Sequence, residues 1–417
     1  MKRTLAAISL ILCVNIALTA ADPTHTSYSW DDCQGSAKPY PVPARAFEYP
    51  DSLQPVMINH VGRHGARYPA SPKHAGAILE ALKDAKTRGT ITKTGQQLME
   101  VAETVIELSA GRWGALDSLG MAEQRGIASR MLANYPMLFS EGSVQAISSY
   151  APRCIMSMYE FTHQLARLDN KVEINTASGR RFSPLMRFFD GNEEYRSLVK
   201  SDEMAAPYKE YRRQSLSDVP LRRVLGEAYP LPEDFYDLAL AEYSLLAGCA
   251  AMDLIVDAAP FLTADEYNAL WRVFNLRQYL AHSASTVSAL PAQIAAPLLE
   301  NIINSTDEFI AGTSKATVSL RFGHAETLMP LLSLMHLRGC YYLTNYFDTV
   351  ALHWKDFDIV PMAANLQIIL FRSSSGRYYV RTDLNEVPVP LIPNDNSLYL
   401  PWEKARNYLQ RCLPLDY

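Results

Sequence analysis

The stretch VMINHVGRHGARYP, residues 56–69, decides the fold that we expect for this chain. Its apolar beginning predicts a buried strand, and the glycine and proline near its end predict a turn. The strand therefore delivers His64 into a turn between Arg63 and Arg67. A neutral imidazole is a good nucleophile towards phosphorus, and fixed guanidinium groups bind phosphoryl oxygens while they oppose protonation of the imidazole. The pattern favours phosphate chemistry over its alternative, a solvated surface turn, and we interpret His60 inside the strand as a buried structural histidine.

Two later segments repeat the arrangement of a strand followed by a phosphate-directed residue. The short apolar run 144–147 predicts a strand, and Arg153 stands at the start of the helical pattern behind it. The strand-like run 317–322 is followed by His324 and Glu326 and then by an apolar helical pattern over 328–337. Three predicted strands thus each lead to side chains that can bind or attack phosphate.

In order and spacing, these segments resemble the histidine phosphatase superfamily, in its acid phosphatase and phytase branch. RHGARYP at 63–69 is similar to the RHGxRxP signature of that branch, and LGMAEQ at 119–124 is similar to its LGxxxQ element. Residues 324–326 read His-Ala-Glu where most members have His-Asp. Together with PLMRFFD at 184–190, this motif resembles the multiple inositol polyphosphate phosphatases.

The resemblance and the chemistry of the side chains together imply a role for each motif residue. His64 would attack phosphorus and form a phosphohistidine, and Glu326 would donate a proton to the leaving alcohol. A simpler alternative for Glu326 is a first-turn glutamate that only stabilises its helix. The phosphoryl oxygens would be held by Arg63, Arg67, Arg153 and His324. This arrangement requires no metal and no cofactor.

A basic segment offers further substrate contacts. Residues 180–223 contain ten basic and seven acidic side chains in an otherwise acidic protein. Arg180, Arg181 and Arg187 stand at its beginning, and we predict that they bind a polyphosphorylated substrate. The alternative is that they belong to ordinary solvated helix faces.

Strand and helix signals alternate over about residues 40–161 and again after Thr317, whereas helical runs dominate 187–310. This order predicts an α/β fold with a mostly parallel sheet flanked by helices. Residues 21–180 and 311–417 would form that phosphatase core, and 181–310 would form an inserted, mainly helical cap domain. Runs at 366–371 and 378–381 predict a hairpin. Ligands bind at the carboxyl ends of parallel strands, which is where the motifs fall.

The first residues resemble an export signal. Basic residues, an apolar stretch over about 5–17 and the small residues Ala20 and Ala21 follow one another as in a signal peptide, which we place at 1–20. The mature protein is therefore expected to be exported, to the periplasm or outside the cell, without a stable membrane span.

Charge and cysteine content narrow the choice of partners. The chain has 39 Lys and Arg against 44 Asp and Glu, so a broad positive surface for nucleic acid is not expected. Five cysteines would remain after cleavage of the leader, at positions 33, 154, 249, 340 and 412, with no zinc-ligand spacing. Their spacing leaves open whether they form disulfides or stay as buried thiols.

We therefore predict a phosphomonoesterase that acts on inositol hexakisphosphate (phytate) and lower inositol polyphosphates. A broad-specificity enzyme for sugar phosphates or bisphosphoglycerate would use the same residues, as would a phosphotransferase. A non-catalytic phosphate-binding protein is the alternative of another class, but binding alone would need neither His64 nor Glu326.

Overall fold

The computed structural model describes residues 27–140 and 142–415, so the predicted signal peptide lies outside the described residues. The described part has these strands: β1 (Leu53–Arg63), β2 (Ser143–Ser148), β3 (Glu173–Ser178), β4 (Ala316–Gly323), β5 (Asn365–Ser373), β6 (Tyr378–Leu384), β7 (Val387–Val389) and β8 (Leu400–Pro401). Among the helices in the same ranges, none is both long and apolar enough to cross a membrane.

The helices of the described ranges surround these strands. They are α1 (Lys73–Arg88), α2 (Lys93–Ser109), α3 (Ser118–Asn134), α4 (Met137–Ser140), α5 (Pro152–Leu168), α6 (Ser183–Met186), α7 (Phe188–Gly191), α8 (Glu193–Leu198), α9 (Asp202–Ser215), α10 (Val219–Leu225), α11 (Tyr236–Gly248), α12 (Ala264–His282), α13 (Leu290–Gln293), α14 (Ala296–Ile310), α15 (Ala325–Leu334), α16 (Val350–His353), α17 (Asp356–Ile359) and α18 (Trp402–Cys412). Short 3-10 segments occur at Asp32–Ala37, Arg180–Phe182, Ala250–Met252 and Phe347–Thr349.

One sheet organises the molecule, in the order β3-β2-β4-β1-β5-β6-β7, with β8 paired to β6. The strands β3, β2, β4 and β1 are parallel to one another. From β5 onwards the pairing is antiparallel. The predicted α/β class is confirmed, and the hairpin is formed by β5 and β6. The sheet itself is mixed: its parallel half contains the predicted motif strands.

The edge strand β3 was not predicted from the sequence. Its six residues are exposed or only half-buried, so they lack the apolar run that identified the inner strands. Pro136 separates α3 from α4, and α11 ends at Gly248, ahead of a turn in which Asp253 has a left-handed φ of 55°.

Helices cover both faces of the sheet because successive residues of β1 point to opposite sides. Met57 and Val61 pack in one apolar cluster with Leu298 of α14 and Leu328 of α15. Ile58 packs in a second cluster with residues of α3 and α5. The chain between β3 and β4 is helical, and its last helix, α14, lies directly against the sheet. The division into a core and a cap over 181–310 stays a prediction.

The cysteines in the described residues are all unpaired thiols. Four of them are buried, and Cys412 is half-buried. Of the two alternatives that the sequence left open, the structure has simple thiols.

Candidate active site

Three neighbouring parallel strands bring the predicted motif residues together. Arg63, the last residue of β1, is in register with Gly323 at the end of β4. On the other side of β4, Ser148 ends β2 in register with Phe322. The residues that follow these strand ends, including His64 and His324, therefore meet at one edge of the sheet, as is usual for ligand sites in open α/β folds.

His64 is buried, with 3% of its surface exposed, and its tautomer is set by its neighbour. Its Nδ1 lies 2.9 Å from the carbonyl oxygen of Gly65. A carbonyl oxygen can only accept, so Nδ1 carries the hydrogen and Nε2 keeps its lone pair. Burial, followed by the charges of Arg63 and Arg67, holds the pKa of His64 well below its usual range. The imidazole is therefore neutral and nucleophilic near pH 7.

Helix α3 fixes the turn that contains His64. Glu123 accepts hydrogen bonds from the backbone N–H of Ala66, at 2.7 Å, and of Tyr40, at 2.8 Å. Gln124 donates to the carbonyl oxygen of Arg63 at 3.0 Å. The turn lies so close to α3 that a Cβ atom on Gly65 would stand 2.4 Å from the carbonyl oxygen of Gly120. The LGMAEQ element thus holds the turn that contains His64 in place.

The arginines of the site have unused donors. Arg63, Arg67 and Arg153 each have a buried Nε–H without a hydrogen-bond partner among the described residues. A buried donor without a partner costs about 1–3 kcal/mol, so an anion placed between these groups would be stabilised by all of them. Burial lowers the pKa of Arg63 and of Arg67 to about 10, which leaves both charged at neutral pH.

His324 lies between two guanidinium groups, and its ring centroid is 5.7 Å from that of His64. Its Nε2 is 2.8 Å from Arg187 Nη1, and its Nδ1 is 3.2 Å from Arg153 Nη2. Arginine only donates, whereas a neutral imidazole has one accepting nitrogen. One of these guanidinium N–H groups is therefore left over for an anion. The Oγ of Ser149 also lies 3.0 Å from Nε2.

Glu326 occupies the first turn of α15 and is half-buried. Burial acts to raise the pKa of its carboxyl, whereas positive charge on His282, His324 and Arg63 acts to lower it. Burial lowers the pKa of both histidines as well, so Arg63 is the permanent positive charge among the three. The net direction is a lowered pKa, so the carboxyl is ionised when the site is empty.

The three predicted substrate-binding arginines occupy different positions. Arg187 contacts His324, as described, and its Nε donates to Asp190 at 2.6 Å. The guanidinium of Arg180 lies over the ring of Tyr150 at 4.5 Å, and that of Arg187 lies over the same ring at 5.0 Å. Arg181 is exposed and lies over the ring of Phe182 at 4.7 Å.

His60 is not part of this group. It is 1% exposed, packs against the rings of Phe161 and Phe322, and has no hydrogen-bond partner on either nitrogen among the described residues. The interpretation of His60 as a buried structural histidine is confirmed.

A cavity of about 270 Å³ opens beside Arg63 and Arg67. Its polar lining includes Gln34, Ser36 and His74. Within the described ranges, no group of three or more His, Cys, Asp or Glu side chains is arranged to hold a metal ion.

Several supporting residues were not assigned from the sequence. Ser149 contacts His324, and Ser157 accepts from the N–H of Gly65 at 3.1 Å. Glu123 could have been noticed, since it stands beside the glutamine of the LGxxxQ element. The carbonyl oxygens of Ser36 and Val360, which accept from Arg63, have no signature because every residue has a carbonyl.

Comparison with protein families settles the relationship that the motifs suggested. The model of the histidine phosphatase superfamily (branch 2) matches residues 56–385. The chain belongs to this superfamily. The predicted enzyme class, a histidine-type phosphatase, is confirmed at the level of the family.

Similar proteins within the family have inositol polyphosphate phosphatase names. Multiple inositol polyphosphate phosphatase 1 of Gallus gallus is 25% identical over 402 residues, which cover 88% of this chain and 85% of the relative. The Homo sapiens protein of the same name is 24% identical over 86% of this chain and 80% of its own length.

Solved structures show the same fold. The multiple inositol polyphosphate phosphatase of Bifidobacterium longum, in complex with inositol hexasulfate, superposes with a TM-score of 0.80 at 17% identity, over 92% of this chain and 98% of that one. A phytase from D. castellii gives a TM-score of 0.70 at 16% identity, over 97% and 90% of the two chains.

Proposed function

We propose that this protein is an exported phosphomonoesterase that hydrolyses inositol hexakisphosphate and lower inositol polyphosphates through a phosphohistidine intermediate on His64. The observation that carries the proposal is the surroundings of His64. A neutral imidazole with its lone pair on Nε2 stands among arginines whose buried Nε–H groups have no partner in the described residues.

In the first half of the reaction, Nε2 of His64 attacks phosphorus as the P–O bond to the inositol oxygen breaks. Arg63, Arg67 and Arg153 hold the non-bridging oxygens, and His324 completes the group. Their charges and N–H donors offset the negative charge of the transition state and keep the phosphoryl group in line.

Glu326 takes part in both halves. In the first, its carboxyl proton moves to the leaving inositol oxygen, because an alkoxide is too basic to leave unaided. In the second, the carboxylate takes a proton from water, the water oxygen bonds to phosphorus, and the N–P bond to His64 breaks. Inorganic phosphate leaves, and His64 and Glu326 return to their starting states.

The protonated form of Glu326 has to be reconciled with its lowered pKa in the empty site. A bound phosphate compensates the charge of Arg63 and brings negative charge close to the carboxylate. Both changes raise the pKa of Glu326. Substrate binding therefore prepares the proton donor.

Two lines of support lead to inositol polyphosphates as the substrate class. The relatives and one structural neighbour are named for this class, and that neighbour holds inositol hexasulfate. In this chain, Arg180 and Arg187 share the ring of Tyr150 next to the phosphoryl site. A substrate with phosphates on adjacent ring carbons presents a second anion to such a pair. Export is supported by the signal-like leader.

The test is the release of inorganic phosphate from inositol hexakisphosphate by the purified protein with EDTA present. We expect release in the wild type and none in His64→Ala. His163→Ala replaces an exposed histidine stacked on Tyr159 and is the matched control. Quenching in alkaline denaturant during turnover traps the covalent phosphoenzyme, whose N–P bond is stable to alkali and labile to acid. If the protein hydrolyses simple phosphomonoesters but not inositol hexakisphosphate, the proposed substrate class is wrong. If it hydrolyses no substrate, a phosphate-binding protein is favoured.

A further inference from the structure

Arg63 has a second set of contacts, with two backbone carbonyl groups. Its Nη1 donates to the carbonyl oxygens of Ser36 and Val360, both at 2.5 Å. These two acceptors fix the plane of the guanidinium, and with it the direction of the unpartnered Nε–H. Whatever positions the two carbonyl groups therefore positions Arg63.

Both carbonyl groups depend on Asp356, a residue with no exposed surface. Its Oδ2 accepts from the backbone N–H of Ser36 at 2.8 Å. Its own carbonyl oxygen accepts from the N–H of Val360 at 2.8 Å, which closes the single turn of α17. One residue thus controls the Ser36 acceptor through its side chain and the Val360 acceptor through its backbone.

The carboxylate of Asp356 is itself held from a third side. Trp271 Nε1 donates to Oδ1 at 2.9 Å, and the backbone N–H of Asp356 donates to Asn275 Oδ1 at 2.9 Å. Gly35, at a φ of +58°, lets the chain pass so close that a Cβ atom there would stand 2.8 Å from Asp356 Oδ2. The contact between Ser36 and Asp356 therefore has no room for a larger residue at position 35.

We propose that Asp356 is a positioning residue of the phosphatase reaction, which holds Arg63 in its phosphate-binding orientation through Ser36 and Val360. The inference rests on the proposed function of the site. Asp356 does not touch the phosphate. It acts by presenting two acceptors to one guanidinium.

Asp356→Asn tests this role because both side-chain partners of Asp356, the Ser36 N–H and the Trp271 indole, are donors. An amide has one accepting oxygen, so its NH₂ group must face one of these donors. Misplacement of a substrate-binding group by about 1 Å can cost roughly a hundredfold in rate. We expect kcat/KM for p-nitrophenyl phosphate to fall roughly tenfold to a hundredfold. We expect the calorimetric Kd for inorganic phosphate to rise by about tenfold or more.

The direction of the phosphate effect separates positioning from simple electrostatics. Burial raises the pKa of Asp356 to about 6, so the test is made at pH 7 or above, where the carboxyl is negative. Removing its charge there without moving Arg63 would make the site more positive and tighten phosphate binding. Tighter or unchanged binding in Asp356→Asn would overturn the proposal. Asp307→Asn is the matched control, since Asp307 also accepts from a tryptophan, Trp402, at 2.9 Å, and from Arg406 at 2.6 Å. If Asp307→Asn loses as much kcat/KM and phosphate affinity as Asp356→Asn, the losses come from general destabilisation and the proposal is overturned.

Gly35→Ala disturbs the contact between Ser36 and Asp356 without any change of charge. It tests the positioning role of Asp356 if Asp356→Asn does not fold. We expect the same fall in kcat/KM and the same weaker phosphate binding. Gly89→Ala is its control, because Gly89 also has a left-handed φ, +73°, but a Cβ there would meet nothing within 4 Å. Wild-type activity in Gly35→Ala would overturn the proposal.

The wild-type protein distinguishes a failure of this proposal from a failure of the proposed function. A wild type that binds phosphate without hydrolysing the substrates would refute the proposed function and leave this binding test intact. A wild type that binds no phosphate would overturn both.

Discussion

Arg187 Nη1 lies 2.8 Å from Nε2 of His324, so the helical segment after β3 contributes a charge directly to the group of residues at the ends of the parallel strands. Arg187 precedes α7 and pairs with Asp190 at 2.6 Å. The carboxylate directs the guanidinium towards His324. The candidate phosphoryl site is thus built by the ends of β1, β2 and β4 together with the helical segment between β3 and β4.

The first prediction concerns this arginine. Arg187→Ala removes a charged donor that faces the site, and a hydrogen bond to a charged group is worth roughly 1.5–3 kcal/mol. We expect kcat/KM for inositol hexakisphosphate to fall about tenfold to a hundredfold, as measured by phosphate release. Arg196→Ala removes the same charge from an exposed position on α8 and is the control. An equal loss in both variants would mean that only long-range charge matters.

The second prediction separates the proton-donor role of Glu326 from a structural role. General acid catalysis contributes roughly a hundredfold to ten-thousandfold, but only where the leaving group needs a proton. In Glu326→Gln we expect such a loss in kcat/KM for inositol phosphates and a much smaller loss for p-nitrophenyl phosphate, whose phenolate leaves unaided. Stopped-flow absorbance should show a burst of nitrophenol. The variant also lacks the general base that activates water, so the phosphoenzyme forms faster than it is hydrolysed and accumulates.

Equal losses for both leaving groups would contradict the acid role of Glu326. They would favour the alternative that this glutamate stabilises the first turn of α15. A thermal unfolding curve of Glu326→Gln then gives a second readout. The structural alternative requires a lower Tm, whereas the acid role does not.

The parallel half of the fold could be read from the sequence because each of its motif strands is inside the sheet. Buried strands carry apolar runs, and β1, β2 and β4 were found at their predicted places. The edge strand β3 has no such run, since solvent covers much of its surface. The antiparallel partner of β1 was predicted as part of a hairpin, but its place beside β1 depends on long-range pairing that no local pattern encodes.

The same distinction holds for the active site. The side chains to which we assign chemistry, such as His64 and Arg153, stand in recognisable motifs. The contacts that orient them run through backbone groups, as at Ser36, or through a distant carboxylate, as at Asp356. Arg181 and Arg187 belong to one basic segment, yet only Arg187 contacts His324, because the short turns between them set which side faces the site.

The third prediction is proton uptake on anion binding. Positive charge on His282, His324 and Arg63 lowers the pKa of Glu326 in the empty site, and a bound polyanion raises it, so we expect a proton to be taken up as the ligand binds. Inositol hexasulfate is a suitable probe because its sulfates stay ionised in mildly acidic solution. Calorimetry near pH 5 in buffers of different ionisation enthalpy should give a positive number of protons bound. That number should drop in Glu326→Gln, and proton release by the wild type would refute the argument.

The last prediction concerns stability and a carboxyl remote from the reaction. Glu242, on α11, is fully buried, and neither of its carboxyl oxygens has a hydrogen-bond partner among the described residues. Burial raises its pKa to about 8, so the folded protein holds it as a neutral acid at pH 7, whereas the unfolded chain ionises it above its usual pKa of about 4.3.

The sign of the effect follows from the proton balance. Between these two pKa values the folded state binds more protons than the unfolded state, so the free energy of unfolding falls as the pH rises. Glu242→Gln is neutral at every pH and removes this dependence. We expect the variant to gain stability over the wild type by a few kcal/mol near pH 8 and by little near pH 4, as measured by urea unfolding. Glu227→Gln, at an exposed position, should follow the wild-type curve. A gain in Glu242→Gln that is the same at both pH values would show that shape, and not ionisation, sets the stability at this position.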